Sequence, residues 1–252
     1  MTVCQMPTHA MVLAAGLGQR MRPLTLTCPK PLLKVAGRAL LDHALDRMAE
    51  SGVETAVVNY CYLGEMIAAH LAGRAEPRII LSPEPEPLET GGGIKRDLPF
   101  LGEAPFISAN ADILWLDGAV PALRRLAERW QPEQMDALLL MMPVDCAHGY
   151  HGMGDFVLAS DSLLERPVKG TRAPLVFSGV QIITPALFAQ TPEGPFSTNL
   201  VWDRALATGR LHGLVHDGHW FHVGTPETLL ATNDWFETHG EALHNSGRLF
   251  IR

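Results

Sequence analysis

The sequence predicts an α/β protein in which helices cover both faces of a mostly parallel central sheet. In the first hundred residues or so, short β-branched or apolar runs alternate with longer segments of helical periodicity. Such alternation is typical of βαβ units, because parallel strands need helical crossovers to connect them. The 252 residues, 47% of them hydrophobic, are enough to bury one large core. We therefore expect a single domain over residues 1–252.

The first half of the chain supplies three predicted strands and the two helices that connect them. The strands cover residues 9–15, 55–59 and 78–82, each an apolar or β-branched run. The helices cover residues 40–52 and 63–73, where apolar residues recur at helical spacing. This βαβαβ order predicts a ligand site at the carboxyl ends of the strands.

The second half continues with strands and ends with helices. Further strands are predicted over residues 105–110, 136–142, 155–160 and 175–184, and helices over residues 199–208 and 226–237. Between the two halves, the segment "SPEPEPLETGGG" (82–93) combines proline with Glu and Gly. This composition disfavours a strand, so we expect a shaped loop there.

Charge and hydropathy exclude two classes of partner. The chain has 27 acidic and 20 basic residues, a formal charge of −7, and no basic block that could follow a nucleic-acid backbone. No apolar run approaches the roughly 18 residues of a membrane span. We expect neither a nucleic acid nor a membrane as a partner.

The cysteines and the N-terminal residues favour the cytoplasm. Cys4, Cys28, Cys61 and Cys146 are scattered without a Cys-x-x-Cys pair, which predicts neither a disulfide framework nor a zinc site. The opening "MTVCQMPTHA" lacks a charged region followed by an apolar one, so we expect no export signal.

A glycine loop with nearby cations follows the first predicted strand. Gly16 and Gly18 allow backbone N–H groups to approach an anion closely, although a G-x-G alone is equally compatible with a tight turn. The loop is neither common nucleotide fingerprint, because Met21 replaces the third glycine and Gly-Lys-Ser/Thr is absent. Arg20 offers a planar fork for a pyrophosphate, and Lys30, held between two prolines, a point charge. These cations favour a phosphate site.

Four separated blocks, the first of which contains two segments, carry a resemblance to a known family. The segments "GLGQRMRPLT" and "PKPLL", followed by "EPLETGGG", "NADILW" and "GHWFHVGTPE", occur in the order found in sugar-1-phosphate nucleotidyltransferases, which this chain resembles over nearly its whole length. The resemblance implies a Rossmann-like three-layer sandwich of the nucleotide-diphospho-sugar transferase type. It also implies a nucleotide-binding half over about residues 9–115 and a sugar-phosphate-binding half over about residues 116–240.

The resemblance implies the reaction of a nucleoside triphosphate with a sugar 1-phosphate to give a nucleotide sugar and pyrophosphate. Within the family, the sequence is most similar to a branch of cell-wall recycling that uses UTP and N-acetylmuramic acid 1-phosphate. A branch that uses GTP and mannose 1-phosphate is the next most similar. Homo-oligomers are common in the family, so an oligomer is a further expectation.

The resemblance also assigns roles to residues of this chain. The catalytic residues that it implies are Arg20, Lys30 and Asp112. The nucleotide-binding residues are Ala14, Ala15, Gly16, Gly18, Glu84, Glu89, Thr90, Gly91 and Gly92. The sugar-phosphate-binding residues are Asn110, Asp155, Lys169, Gly179, Glu193 and Asn199. The carboxylate of Glu84 can accept the N3–H of uracil, or the N1–H and amino group of guanine, so the base stays open.

The expected cofactor is Mg²⁺, with Asp112 as its first ligand by resemblance. His222 stands where the family usually has a second ligating Asp, and imidazole suits transition metals better than magnesium. We expect weaker Mg²⁺ binding, or a shell completed by triphosphate oxygens and water. A transition-metal site formed by His216, His219 and His222 is disfavoured, because strand alternation places the last two on opposite faces.

Two other classes of function stay open at this point. A non-catalytic nucleotide-sugar binder fits a site whose second metal ligand has been replaced by His222. A dinucleotide-dependent oxidoreductase fits the same sheet, but the chain lacks the third glycine, and its second strand ends in Asn59 where an acidic ribose-binding residue is needed.

Overall fold

A computed structural model describes residues 6–245, and for Ser160 and residues 241–245 it describes the backbone alone. Residues 1–5 lie outside the described residues. They include Cys4 and the first half of the N-terminal segment for which we expect no export signal. Within residues 6–245, no helix combines the length and apolar character needed to cross a membrane.

Fourteen strands and six α-helices occur among the described residues. The strands are β1 His9–Leu13, β2 Lys34–Val35, β3 Arg38–Ala39, β4 Thr55–Tyr60, β5 Arg78–Pro83, β6 Phe106–Asn110, β7 Ile113–Leu116, β8 Ala137–Pro143, β9 Ala147–His148, β10 Val157–Leu158, β11 Leu164–Glu165, β12 Leu175–Ile183, β13 Leu211–Val215 and β14 His219–His222. The helices are α1 Leu40–Glu50, α2 Gly64–Leu71, α3 Glu89–Leu101, α4 Ala122–Arg129, α5 Asn199–Ala207 and α6 Pro226–Asn245.

Seven strands form the central sheet in the order β13-β8-β12-β6-β1-β4-β5. Neighbouring strands are parallel except around β12, which is antiparallel to both β6 and β8. Six strands therefore share one direction, which confirms the mostly parallel sheet. The chain passes from β1 to β4 and β5 on one side and then to β6 on the other. The strand order thus reverses beside β1, where α/β sheets bind ligands.

Alternation along β1 builds a core on each face of this sheet. Val12 is buried in a cluster with Leu45 of α1 and Leu126 of α4, to which α2 also contributes. Met11 lies in a second cluster with Ile94 of α3, and α5 completes that layer. Since successive strand residues face opposite sides, the apolar run needs helices on both faces, which confirms the three-layer fold.

A smaller sheet, in the order β7-β14-β9, packs against α6. Phe221 of β14 contacts Phe236 of α6, with their ring centroids 5.4 Å apart. The strand β7 begins directly after Asp112, and β14 ends at His222, which pairs with Ile113. This small sheet therefore positions Asp112 and His222 beside each other at one end.

Two expectations about local structure were wrong. The strand predicted over residues 155–160 is reduced to Val157–Leu158. The segment 82–93 is not a loop throughout, because β5 continues to Pro83 and α3 begins at Glu89. Glycine is a poor helix former, but Gly91, Gly92 and Gly93 occur in succession in α3. A Cβ atom at any of the three positions would clash with a neighbouring segment. Tertiary packing therefore overrides propensity in this helix.

Candidate active site

Four adjacent strands bring polar groups to one edge of the central sheet. Glu84 directly follows β5, Asn59 lies near the end of β4, Ala14 follows β1 and Asn110 ends β6. Because β5, β4, β1 and β6 are parallel neighbours, their carboxyl ends meet at the same edge. A cleft of about 470 Å³ opens there. It lies at the strand-order reversal, which is where the sequence predicts the ligand site.

Eleven of the residues predicted for the site line this cleft: Ala14, Ala15, Gly16, Gly18, Arg20, Lys30, Glu84, Glu89, Thr90, Asn110 and Asp112. Sequence reasoning assigned no site role to seven further lining residues: Leu13, Gln19, Met21, Pro31, Asn59, Pro87 and Gly224. The cleft thus brings together the glycine loop, the cations, and the carboxylates of Glu84 and Asp112.

The glycine loop presents unused backbone donors. The N–H groups of residues 15–18 have no hydrogen-bond partner within residues 6–245, and Ala15, Gly16 and Gly18 line the cleft. The loop is held from its other side, because Met21 N–H and Thr25 Oγ1 donate to the carbonyl of Gly18 at 2.9 and 2.8 Å. Fixed, unpaired N–H groups at a strand end form an anion site.

Lys30 and Asp112 form an ion pair in the cleft. Lys30 Nζ lies 2.7 Å from Asp112 Oδ2, and Lys30 is only 8% exposed, whereas the side chain of Asp112 is 39% exposed. Lys30 opens a short 3₁₀ helix that follows Pro29. The ammonium group has three donors, and this is the single hydrogen bond that it makes within the described chain.

The carboxylate of Glu84 is held by hydrogen bonds from the protein. Glu84 is 5% exposed; its Oε1 accepts from Asn59 Nδ2 at 2.7 Å and its Oε2 from Leu88 N–H at 3.0 Å. An ionised carboxylate has about four acceptor sites, so capacity is left for a ligand. Glu84 lines the cleft, and its contact with a base stays a prediction.

Gly91 and Gly92 occupy positions different from the ones that the sequence predicts. Neither lines the cleft, because both of their N–H groups donate to the carbonyl of Phe196, at 2.8 and 3.0 Å. A Cβ atom on Gly91 would lie 2.4 Å from the Phe196 ring, and one on Gly92 would lie 2.4 Å from the Gly194 carbonyl. These glycines permit close packing of α3 on the 194–196 segment, and their nucleotide-binding roles stay predictions.

Five sugar-side candidates lie outside the cleft lining. Asp155 Oδ2 accepts the N–H of Phe177 at 2.8 Å, and burial raises the pKa of its carboxyl. Gly179 lies behind the site, where a Cβ atom would lie 3.2 Å from Asn110 Nδ2. The remaining three are exposed or engaged elsewhere on the protein: Lys169 in a turn, Glu193 paired with Lys95, and Asn199 bonded to Arg166. Their sugar-binding roles stay predictions.

His222 lies next to the ion pair. Burial lowers the pKa of its imidazole, the positive charge of Lys30 lowers it further, and Asp112 acts in the opposite direction. The Cβ position of Gly224 lies 2.6 Å from His222 Nε2, so a side chain at position 224 would displace the ring. The effect of Asp112 on the pKa of His222 shows that the two side chains interact electrostatically. Gly224, which contacts the His222 ring, lines the cleft.

The histidines do not converge on one point. His219 contacts His148 on the opposite face of the small sheet, with Nδ1 3.2 Å from His148 Nε2, and His216 lies within hydrogen-bond distance of the carbonyl of Leu116. This confirms the opposite placement of His219 and His222. Within the described part of the chain, no group of three or more His, Cys, Asp or Glu residues is arranged to hold a metal ion.

An anion cradle with adjacent cations, at the reversal point of a mostly parallel sheet, defines an α/β protein that binds a phosphorylated ligand. Residues 9–238 match the family model described as Nucleotidyl transferase, and the chain belongs to this family.

Curated relatives agree with the family assignment. The N-acetylmuramate alpha-1-phosphate uridylyltransferase of Caulobacter vibrioides is 47% identical over 232 residues, which cover 90% of this chain and 96% of that protein. The enzyme of the same name from Neisseria meningitidis is 37% identical over 220 residues, covering 86% of this chain and 93% of that protein. A mannose-1-phosphate guanyltransferase of Aspergillus fumigatus is 30% identical over 232 residues, which cover 88% of this chain and 62% of that enzyme.

Solved structures show the same fold. HddC from Yersinia pseudotuberculosis, in complex with GMP-PN, superimposes with a TM-score of 0.73 at 22% identity, covering 90% of this chain and 99% of that one. A UDP-glucose pyrophosphorylase in complex with UDP-glucose gives a TM-score of 0.73 at 17% identity, covering 91% of this chain and 98% of that one.

Proposed function

We propose that this chain transfers a uridylyl group from UTP to N-acetylmuramic acid 1-phosphate and releases pyrophosphate. The observation that carries the proposal is a set of backbone N–H groups, those of Ala15, Gly16 and Gly18, that have no partner within residues 6–245 and line one cleft with Arg20, Lys30 and Asp112. The two relatives at 47% and 37% identity, named for this reaction, support the choice of substrates. We place the reaction in the cytoplasm, in cell-wall recycling, with nucleotide bound by residues 9–115 and sugar phosphate by residues 116–240.

The chemistry that we propose is an in-line displacement at the α-phosphorus. A phosphate oxygen of the sugar 1-phosphate forms the new P–O bond as the bond to pyrophosphate breaks, and the electron pair leaves with pyrophosphate. The attacking phosphate is already anionic at neutral pH, so no strong general base is needed. What the protein has to supply is alignment of two polyanions and neutralisation of their charge.

Each charged or donor group in the cleft then has a role. The N–H groups of residues 15–18 and the Arg20 guanidinium hold the β- and γ-phosphates, the leaving end of the nucleotide. Lys30 contacts the α-phosphate and the acceptor phosphate, and Glu84 accepts the N3–H of uracil. For the acceptor sugar phosphate we retain Asn110, which lines the cleft. Asp155, Lys169, Gly179, Glu193 and Asn199 are proposed with it, although they lie outside the cleft lining.

We propose Mg²⁺ as the cofactor, with Asp112 as its ligand and His222 beside it. The donor set fits, because Mg²⁺ commonly uses one or two carboxylates together with substrate phosphates and water, and the exposed side of Asp112 faces the cleft where these would lie. Mg²⁺, when bound, offsets negative charge on the phosphate oxygens. The chain itself keeps Asp112 in place through Lys30.

The test is pyrophosphate release with Mg²⁺ across UTP, GTP, dTTP, CTP and ATP, each combined with the 1-phosphates of N-acetylmuramic acid, mannose and glucose. We expect turnover with UTP and N-acetylmuramic acid 1-phosphate, and its loss in Asp112→Asn. Turnover with GTP and mannose 1-phosphate instead would identify the second candidate, which the Aspergillus relative favours. Nucleotide binding without turnover in any combination would contradict catalysis and favour a binder whose site is altered at His222.

A further inference from the structure

Asn59 connects two parts of the cleft through its amide group. It is 1% exposed and lines the cleft from β4. Its Oδ1 accepts the N–H of Ala14 at 2.8 Å, and its Nδ2 donates to Glu84 Oε1 at 2.7 Å. Because a backbone N–H only donates and an ionised carboxylate only accepts, the amide fits in one orientation. Asn59 therefore fixes the carboxylate of Glu84 relative to the start of the glycine loop.

Helix α3 closes this pair from behind. A Cβ atom on Gly93 would lie 2.7 Å from Asn59 Nδ2 and 2.8 Å from Glu84 Oε1, so a larger residue there would displace this pair. On the other side of the carboxylate, Leu88 N–H donates to Glu84 Oε2. The carboxylate thus has a donor on each oxygen and the helix backbone against one side. Because Glu84 lines the cleft, we assign its remaining acceptor capacity to a ligand there.

We infer that Asn59 is a positioning residue for base selection, an inference that rests on the proposed function. An acceptor-only carboxylate pairs with the N3–H of uracil or the N1–H of guanine. It opposes N3 of cytosine and N1 of adenine, which are themselves acceptors. By donating to Oε1, Asn59 holds Glu84 as an acceptor at a fixed distance from the phosphate loop. Discrimination against cytosine therefore depends on an amide that need not contact the nucleotide.

The test replaces Asn59 by aspartate. Asn59→Asp keeps the shape and the acceptor for Ala14 N–H, but places an oxygen against Glu84 Oε1 where a donor was. The pair must then share a proton or separate, and either change weakens the acceptor that faces the base. We expect UTP affinity, measured by calorimetry, to fall about tenfold, and the preference for UTP over CTP to fall by a similar factor. The KM for UTP should rise while kcat at saturation changes much less.

A second variant restores the hydrogen bond with its polarity reversed. In Asn59→Asp combined with Glu84→Gln, the new amide donates to the aspartate, and its oxygen is available to Leu88 N–H and to the base. We expect this double variant to regain most of the UTP preference. Gly93→Ala displaces the same pair without altering either residue, and it should also lower the preference for UTP over CTP. This variant therefore tests the inference if Asn59→Asp does not fold.

The outcomes separate the inference from the proposed function. A wild-type protein that binds UTP and CTP equally would remove base reading itself, and the inference with it. A wild-type preference for UTP that persists unchanged in Asn59→Asp, whatever its melting temperature, would overturn the inference alone. Failure of the double variant to bind UTP better than Asn59→Asp would overturn it as well.

Discussion

Lys30 Nζ lies 2.7 Å from Asp112 Oδ2, and this ion pair joins residues 82 positions apart in the chain. It pairs the cation that we assign to phosphate with the carboxylate that we assign to metal. Without substrate the two charges neutralise each other, which limits the penalty of holding a largely buried ammonium. Under the proposed function, we therefore expect metal and triphosphate to bind together, because the metal replaces Lys30 as the partner of Asp112 and the triphosphate replaces Asp112 as the partner of Lys30.

Replacing Lys30 by methionine should strengthen metal binding while it weakens catalysis. In Lys30→Met, Asp112 loses its competitor, so the nucleotide-free protein should bind Mn²⁺ about tenfold more tightly, as measured by electron paramagnetic resonance. Turnover should fall about a hundredfold, because a charge that stabilises the transferring phosphate is lost.

The matched control is Arg20→Met, which removes an exposed cation of the same cleft. Arg20 makes no hydrogen bond to Asp112, so Mn²⁺ affinity of the nucleotide-free protein should change far less than in Lys30→Met. Equal Mn²⁺ affinities for wild type and Lys30→Met would contradict competition between the lysine and the metal.

Two alanine variants in the glycine loop should separate folding from ligand binding. Gly18 has a φ of +60°, and its Cβ would lie 3.0 Å from Thr25 Cγ2, so Gly18→Ala should cost about 1–2 kcal/mol of unfolding free energy. Gly16 has open space around its Cβ position, so Gly16→Ala should cost no more than about 0.5 kcal/mol.

Nucleotide affinity should nevertheless fall in Gly16→Ala, because the added methyl group enters the space where we place the phosphates. Urea unfolding measures the first quantity, and calorimetric titration with UTP measures the second. A Gly16→Ala protein that binds UTP as tightly as the wild type would argue against phosphate binding at this loop.

Local sequence order predicts well that the glycine loop and its neighbouring cations lie together. Gly16, Gly18, Arg20 and Lys30 lie within one short segment after β1, so the strand that precedes them largely fixes their common location. Asp112 follows β6 by the same logic. A parallel sheet brings strand ends together, and the alternation of strands and helices is enough to predict that sheet.

Tertiary packing determines what the sequence could not reveal. In the sequence, Asn59 shows only that no acidic ribose-binding residue ends the second strand. Its hydrogen bonds to Ala14 and Glu84 depend on the register of three strands. The sequence predicts that Gly91 and Gly92 allow a ligand to approach the backbone. In the structure, they allow close packing of the 194–196 segment, which is distant in sequence. The one signal in the sequence for the role of Asn59 is that a polar residue ends a buried strand.

An aspartate at position 222 should raise metal affinity. His222→Asp places a second carboxylate next to Asp112 and Lys30, and hard oxygen ligands suit Mg²⁺ better than imidazole. We expect the Mg²⁺ concentration for half-maximal turnover to fall about tenfold in the presence of UTP.

His222→Asn is the matched control, because it removes the imidazole without adding charge. Mn²⁺ titration of the UTP complex provides a readout independent of turnover. If His222→Asp and His222→Asn have the same metal affinity, the position does not contact the metal. A large gain of turnover in the aspartate variant alone would instead indicate that the wild-type site is impaired.

Buried histidines should make the protein less stable at mildly acidic pH. Burial lowers the pKa of His216, which is 3% exposed, and it lowers the pKa of His43 in the same way. Such a group binds protons more weakly in the folded chain than in the unfolded chain. Its contribution to stability is complete above the ordinary histidine pKa of about 6.5 and is lost as the pH falls through the folded value.

We therefore expect the urea midpoint to fall between about pH 7 and pH 5.5, and to fall less in His216→Gln, which retains a donor for the carbonyl of Leu116. Each unit of pKa difference corresponds to about 1.4 kcal/mol at the low-pH limit. His151→Gln is the control, because it replaces a histidine at an exposed position and leaves the buried imidazoles in place. If the His216→Gln slope equals that of the wild type, burial of this imidazole is not what links stability to protons.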